Sequence, residues 1–262
     1  MKLEFFKYEG TGNDFIIIDN RSLCIKLKES DIAFLCDRKL GIGADGLMLL
    51  QNHNLCDFEM LYFNSDGKQS TMCGNGGRCI SAFANYLGIS SGNLSFDAID
   101  GEHLAKVKKL DNKVSIVDLK MTDVDTFAMK GKEFFIDSGS PHHIKFVKDI
   151  ENYNVFKKGE KIRHSEDYEN IGGTNVNFVE EFENYIFVRT FERGVEDETL
   201  SCGTGVTAAA IATAIKNGEN KTFKIKTKGG DLEVQFETSD NIFKNVWLNG
   251  AATFVYSGVI EV

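Results

Sequence analysis

Two stretches of this chain begin Cys-Gly-x-Gly and run on through small or apolar residues to a glycine: CGNGGRCISAFANYLG from Cys73 to Gly88, and CGTGVTAAAIATAIKNG from Cys202 to Gly218. The spacing predicts a helix in each, with Ile80, Phe83, Ala84 and Leu87 in the first and Val206, Ala209, Ala210 and Ile215 in the second, and glycine as the stop. A helix that is apolar nearly all round has no face to give to water and must be enclosed. The material to enclose it is present. Runs rich in β-branched and aromatic residues recur along the chain: FIIID at 15–19, FEMLYFN at 58–64, KVSIVDL at 113–119, HIKFVK at 143–148, YIFVRTF at 185–191, LEVQFE at 232–237 and TFVYSGVIEV at 253–262. Two buried helices, each wrapped by its own strands, indicate two similar halves related by duplication, with the boundary near 120–132 where MTDVDTFAMKGKE loses periodicity.

Length agrees, because 262 residues suit one large domain or two of about half that size. No stretch approaches the ~20 apolar residues of a membrane helix, and 30 basic against 39 acidic residues give a net charge of −9. Neither nucleic acid nor a membrane surface is therefore an expected partner. Glu4 and Glu9 interrupt the first ten residues, MKLEFFKYEG, so no signal peptide is expected and the protein is read as cytoplasmic. The six cysteines then imply no disulfide framework, and no CxxC pair marks a zinc knuckle. Pro141 is the single proline.

Two local readings are structural. Ser30 can cap a helix over 31–40 that carries Ile32, Leu35 and Cys36 on one face and stops at Gly41. The following GIGADG at 41–46 matches a dinucleotide fingerprint, but that motif needs a strand before it and a helix after it. Here a helix precedes and LMLLQ at 47–51 reads as strand, so no nucleotide cofactor is expected.

A thiol at a helix start meets unpaired backbone N–H groups and the positive end of the helix dipole, and both favour the thiolate. The same N–H groups can hold a carboxylate, and glycines let the backbone approach it closely. Taken singly, either motif fits equally well a buried cysteine beside turn glycines. Their repetition favours a pair, Cys73 and Cys202, acting on one ligand. Cys24, Cys36, Cys56 and Cys79 lie in ordinary segments and read as small core residues.

GNDFIIID from Gly12, YFNSDG from Tyr62, MCGNGGRC from Met72, FERG from Phe191 and SCGTG from Ser201 together resemble the diaminopimelate epimerase family, over essentially the whole chain. The resemblance implies an α+β fold of two pseudo-symmetric domains, each a curled, mostly antiparallel sheet or barrel around a central helix. It places residues 1–125 plus 251–262 in the first domain and 126–250 in the second. It implies a cofactor-independent isomerase that interconverts LL- and meso-diaminopimelate for lysine and peptidoglycan precursor synthesis. Cys73 and Cys202 would be the two catalytic bases, one thiolate and one thiol, exchanging roles with direction. The backbone N–H groups of Gly74, Asn75, Gly203 and Thr204 would hold the reacting carboxylate. Asn13, Asn64 and Asn175 match substrate-binding asparagines, and Arg193 matches the arginine that holds the distal carboxylate. Glu192, also at the substrate, and His142 match groups that adjust the thiol pKa values.

The substrate is then the small molecule diaminopimelate, with no cofactor and no metal, since no third ligand is spaced to join His142 and His143. A homodimer is compatible with the resemblance. Three departures stand out: Gly46 where some members carry a contacting glutamine, Ser140 where asparagine often precedes Pro-His, and the opening FFKYEGTGNDF. A proline-racemase-like enzyme would carry histidine at the place of Asn75, and phenazine-type isomerases of this fold lack the cysteine pair. A thiol redox or ligand-binding protein is the rival of a different class.

Overall fold

The runs Phe15–Ile18 and Leu47–Leu50 are buried at every residue rather than at alternate ones, the pattern of strands covered on both faces. The computed structural model describes residues 2–218, 221–240 and 242–262 and divides into two units, Met1–Leu119 with Gly250–Val262, and Lys120–Asn249.

In the first unit β1 (Lys2–Gly10), β2 (Asn13–Asp19), helix α1 (Glu29–Cys36), β3 (Gly46–Gln51), β4 (Phe58–Asn64), helix α2 (Gly74–Tyr86), β5 (Asn93–Ala98), β6 (Gly101–Lys109) and β7 (Val114–Lys120) follow one another. The strands are neighbours in chain order, and the last strand of the chain lies between β7 and β1, pairing Ala251 with Ile116 and Lys2 with Glu261. That closes an eight-stranded barrel and leaves no free edge. Only β2/β3 and β4/β5 are parallel. A parallel pair needs a crossover, and α1 and α2 supply the two.

Helix α2 packs against β1, β2, β3 and β6 and is buried from Gly74 to Ala84, as its composition requires. Phe83 is its central anchor, with Phe6, Tyr8 and Tyr86 within 4.8–6.3 Å between ring centroids. Helix α1 covers the other side of the sheet, where Ile32, Leu35 and Cys36 cluster with Leu3, Phe5, Ile16, Ile18, Leu47 and Leu49.

The second unit contains β8 (Phe127–Lys130), β9 (Glu133–Asp137), β10 (Pro141–Phe146), α3 (Val155–Arg163), β11 (Asn175–Glu181), β12 (Ile186–Glu192), β13 (Asp197–Thr199), α4 (Gly203–Asn217), β14 (Thr222–Thr227), β15 (Gly230–Ser239) and the start of β16 (Ile242–Glu261). It repeats the pairings of the first. The parallel pairs are now β10/β11, crossed by α3, and β12/β14, crossed by α4, so α4 takes the place of α2. Helix α4 packs against β9, β10, β11, β12, β14 and β15 and is buried at Gly203 and from Gly205 to Ala214. The chain ahead of β8 returns to β16 through a Val124–Phe243 bridge and the Met121 N–H donated to the Val246 carbonyl at 2.9 Å. Pro141 opens β10, a strand position that tolerates a missing donor.

Two local expectations are corrected. Helix α1 starts at Glu29 and ends at Cys36, not over 31–40. Ser30 lies inside it, and the terminus is fixed by Asp31, whose carboxylate accepts the Lys28 N–H at 2.9 Å. After Cys36, Asp37 accepts the N–H groups of Lys39 and Leu40, both at 2.7 Å, and turns the chain out of the helix. Secondly, the aperiodic 120–132 segment includes β8, which pairs Phe127 with Ile136 in a short hairpin. Among the described residues no helix is long and apolar enough to cross a membrane.

Phe83→Ala, which empties the centre of the first barrel, is expected to lower the unfolding free energy by about 3–5 kcal/mol, whereas Leu55→Ala, at a 92% exposed position, changes it by less than about 0.5 kcal/mol. Urea denaturation of the two variants measures both.

Candidate active site

Cys73 is the N-cap residue of α2, in extended conformation, and the Gly76 N–H donates to its Sγ at 3.2 Å. The sulfur thus already takes one of the donors that a helix start leaves unpaired. Behind it lies Arg78, wholly buried. Its guanidinium donates to the Gly74 carbonyl (3.1 Å), to Asn75 Oδ1 (3.1 Å), to Thr11 Oγ1 (3.0 Å) and to the Ala251 carbonyl (3.4 Å). Among the described residues no carboxylate pairs with it. Burial is the main influence on its pKa and lowers it, opposed by Cys79, Cys73 and Glu9. A fixed positive charge therefore sits under the same helix end that offers N–H groups to an anion.

Arg78 also orients Asn75, whose Nδ2 donates to Asn13 Oδ1 at 3.4 Å. Asn13 in turn donates to Asp45 Oδ2 at 2.6 Å. Asp45 and Asp14 share Arg38, with Nη2 at 2.7 Å and 2.6 Å, and Lys7 pairs with Asp14 at 2.7 Å and bonds the Gly43 carbonyl. Burial raises the pKa of Asp14, but the hydrogen bonds and charges of Arg38 and Lys7 outweigh it and hold the carboxyl far below its usual range. The GIGADG loop, lying between α1 and β3, is thus tied to the β1–β2 turn that presents Asn13. Asn64 is exposed at the end of β4, opposite Gly46. A side chain at Gly46 has no room, because a Cβ there would stand 2.6 Å from both the Tyr62 ring and the Phe63 carbonyl.

In the second unit Cys202 is the N-cap residue of α4 and lies 8% exposed. Its Sγ is 3.5 Å from Thr204 Oγ1, which is 2.8 Å from His142 Nε2. Ser138 Oγ donates to the Thr204 carbonyl at 2.9 Å. His142 is fully buried, and burial, aided by the positive charge of Arg193, pushes its pKa down to about 3, so the ring is neutral. Gly205 must be glycine, since a Cβ there would lie 2.3 Å from Asn177 Oδ1.

Arg193 and Glu192 stand at the end of β12. Arg193 takes its backbone N–H to Asn175 Oδ1 at 2.9 Å and its Nη1 to the Gly173 carbonyl at 3.3 Å. Asn175 spends its amide hydrogens on Ser140 Oγ at 2.8 Å and the Pro141 carbonyl at 3.1 Å. Ser140 therefore anchors Asn175, and Asn175 anchors the turn that carries Arg193.

Each unit thus gathers its own set: Asn13, Asn64, Cys73, Gly74 and Asn75 in the first, and His142, Asn175, Glu192, Arg193, Cys202, Gly203 and Thr204 in the second. Sequence reading missed Arg78, Thr11, Asp45, Ser138 and Asn177. The available signal for Arg78 was a lone arginine in a mostly apolar helix, and for Asn177 it was a position two residues from Asn175 on the same strand. His143 turns away from His142 to bond Tyr168 at 2.7 Å. Burial pushes the Cys36 thiol up to about 11 and the Cys79 thiol higher still, which suits packing and not acid–base work. Cys24, read as core, is exposed instead, and Cys56 half-buried.

Because His142 is buried neutral, it loses stability for the fold only where the unfolded chain binds a proton that the folded one refuses, that is, as pH falls below about 6.5. Its ring resonances are expected to stay those of a neutral imidazole from pH 8 to pH 5. A titration midpoint above 6 by NMR contradicts this geometry.

The sequence model of a family described as diaminopimelate epimerase matches residues 5–126 and again residues 134–255. A protein named diaminopimelate epimerase from Flavobacterium psychrophilum is 48% identical, covering 98% of this chain and 100% of its own length. Its namesake from Chlorobaculum tepidum is 40% identical, over 96% of this chain and 98% of the other. Among solved structures, a phenazine biosynthesis protein of the PhzF family from Bacillus anthracis superposes with a TM-score of 0.74 at 13% identity over 100% of both chains. A hydroxyproline epimerase from Agrobacterium vitis gives 0.68 at 14% identity, over 99% of this chain and 92% of its own. At those identities the two structures speak for the fold alone.

Proposed function

The chain belongs to the diaminopimelate epimerase family and is an epimerase, an isomerase; from that premise we propose that it interconverts LL- and meso-diaminopimelate with Cys73 and Cys202 as its two bases. The observation that carries the reading is the equivalent placement of the two thiols, each the N-cap residue of a helix buried in its own unit. One cysteine, as thiolate, takes the α-proton and becomes a thiol. The other, as thiol, gives its proton to the opposite face of the carbon and becomes a thiolate. The reverse reaction exchanges the roles, so no net proton is gained or lost.

The α-proton of an amino acid is a very weak acid, so the negative charge that develops on the carboxylate needs preorganised donors. The first-turn N–H groups of Gly74, Asn75, Gly203 and Thr204 are such donors, each worth a few kcal/mol in a site that excludes water. Arg78 adds a fixed positive charge under one of the two turns. Asn13, Asn64 and Asn175 serve the zwitterionic substrate, directly or by holding their neighbours, and Arg193 takes the distal carboxylate. Glu192 and His142 adjust the thiols.

Incubation with LL-diaminopimelate and chiral separation of the products is expected to show the meso isomer without added cofactor. Cys73→Ala and Cys202→Ala are each expected to lower kcat by at least ~10³-fold, while Cys24→Ala leaves it unchanged. Near wild-type turnover in either of the first two variants overturns the two-base assignment. Arg193→Lys, which keeps the charge and loses the planar fork, is expected to raise KM by about tenfold or more.

A further inference from the structure

Asn177 lies in β11 two residues beyond Asn175, on the same face of the strand, and is wholly buried. Its amide nitrogen is 3.3 Å from the His143 carbonyl and 3.0 Å from His142 Nδ1, and its Oδ1 accepts from Thr190 Oγ1 at 2.9 Å. A backbone carbonyl can only accept, so the group facing it is the NH2, and that NH2 also donates to Nδ1. Nδ1 thus presents a lone pair. A neutral ring with its lone pair on Nδ1 carries its proton on Nε2, which donates to Thr204 Oγ1 at 2.8 Å. With that hydroxyl oxygen accepting, its own proton is left for Cys202 Sγ at 3.5 Å.

We propose that Asn177 and Thr190 are positioning residues that lock His142 in its Nε2–H form, so that the Thr204 hydroxyl donates to the Cys202 thiolate. Every donor in the row Thr190, Asn177, His142, Thr204 points the same way, and the row ends on sulfur. If His142 carried its proton on Nδ1, Nε2 would accept the Thr204 hydroxyl and that hydroxyl would no longer donate to the sulfur. Gly205 belongs to the device, because any side chain there would occupy the space of the Asn177 amide oxygen. The charged group that acts on His142 is Arg193, at the end of β12, and it opposes a second proton on the ring. The proposal rests on the two-cysteine reading only for what the Cys202 thiolate does in turnover. The hydrogen-bond row stands without it.

Two measurements test it, and neither needs catalysis. In protein labelled with ¹⁵N-histidine, long-range proton–nitrogen correlation spectra are expected to show His142 Nδ1 unprotonated and Nε2 protonated. The rate at which iodoacetamide alkylates Cys202, followed by peptide mass spectrometry against pH, reads the thiol directly. In Asn177→Leu, which removes the donor to Nδ1 at similar volume, both ring tautomers are expected and the alkylation profile moves up by about one pH unit. Thr204→Val is expected to move the profile equally while leaving the ring in its Nε2–H form, and Thr204→Ser to restore it. Circular dichroism and the unaltered alkylation profile of exposed Cys24 serve as folding controls. A wild-type ring protonated on Nδ1 overturns the proposal, and so does a Cys202 profile that Thr204→Val leaves in place. Should Cys202 prove dispensable for epimerisation, both readouts are unaffected, so the two readings fail separately.

Discussion

Two helices with almost no polar surface have to be shut away from water, and most of the architecture follows from that need. A single sheet face covers a helix on one side only. Covering α2 and α4 on all sides takes a sheet that curls around each, and the first unit closes its ring with β16. Closure removes the free strand edge, and in each unit the enclosed helix itself bridges one of the two parallel pairs, β4/β5 or β12/β14. Once a helix is enclosed in this way, its N-terminus is the place where its unpaired N–H groups meet the rest of the molecule. A cysteine at that cap inherits both the donors and the positive end of the dipole. The catalytic chemistry proposed for Cys73 and Cys202 is in this sense a by-product of how the cores are packed.

The duplication has kept the helices and changed what stands behind them. Under α2 the support is a cation: Arg78, buried and paired with no carboxylate among the described residues, grips Gly74, Asn75, Thr11 and Ala251 at once. Under α4 it is a neutral row of Asn177, His142 and Thr204 beside Cys202. A buried guanidinium stabilises an anion through charge, and a hydroxyl does so through one directed hydrogen bond. The two sulfurs therefore sit in different electrostatic settings although each is the N-cap residue of its helix, a difference that suits the proposed division into one thiolate and one thiol.

The helices, the strands that wrap them and the repetition itself were legible in the sequence because period and composition record burial directly. FEMLYFN coincides with β4 over 58–64, and the two glycine-led helices fall where the Cys-Gly-x-Gly motifs put them. The start of α1 was misplaced because Ser30 and Asp31 are both good capping residues, and only the fold shows which one reaches the free N–H. The strand at 127–130 was missed because it is short and exposed at three of its four residues, so no alternation marks it. Asn177 and Arg78 belong to a third kind of case. Their residue types were visible, but what each one touches is set by strand register and by a helix turning its buried side toward a particular loop. Gly46 is similar, since its lack of a side chain makes sense only beside the Tyr62 ring.

The central claim is that one sulfur removes the α-proton and the other delivers a different one. Epimerisation started from LL-diaminopimelate in deuterated water and stopped after a few per cent conversion tests it most directly, with the isotope at the α-carbon of each isomer read by mass spectrometry. Two bases predict a meso product that carries one deuterium per molecule, because the delivering thiol has exchanged with solvent, beside recovered LL substrate that is still unlabelled. Meso product that retains the original protium, returned by the group that removed it, would contradict the account.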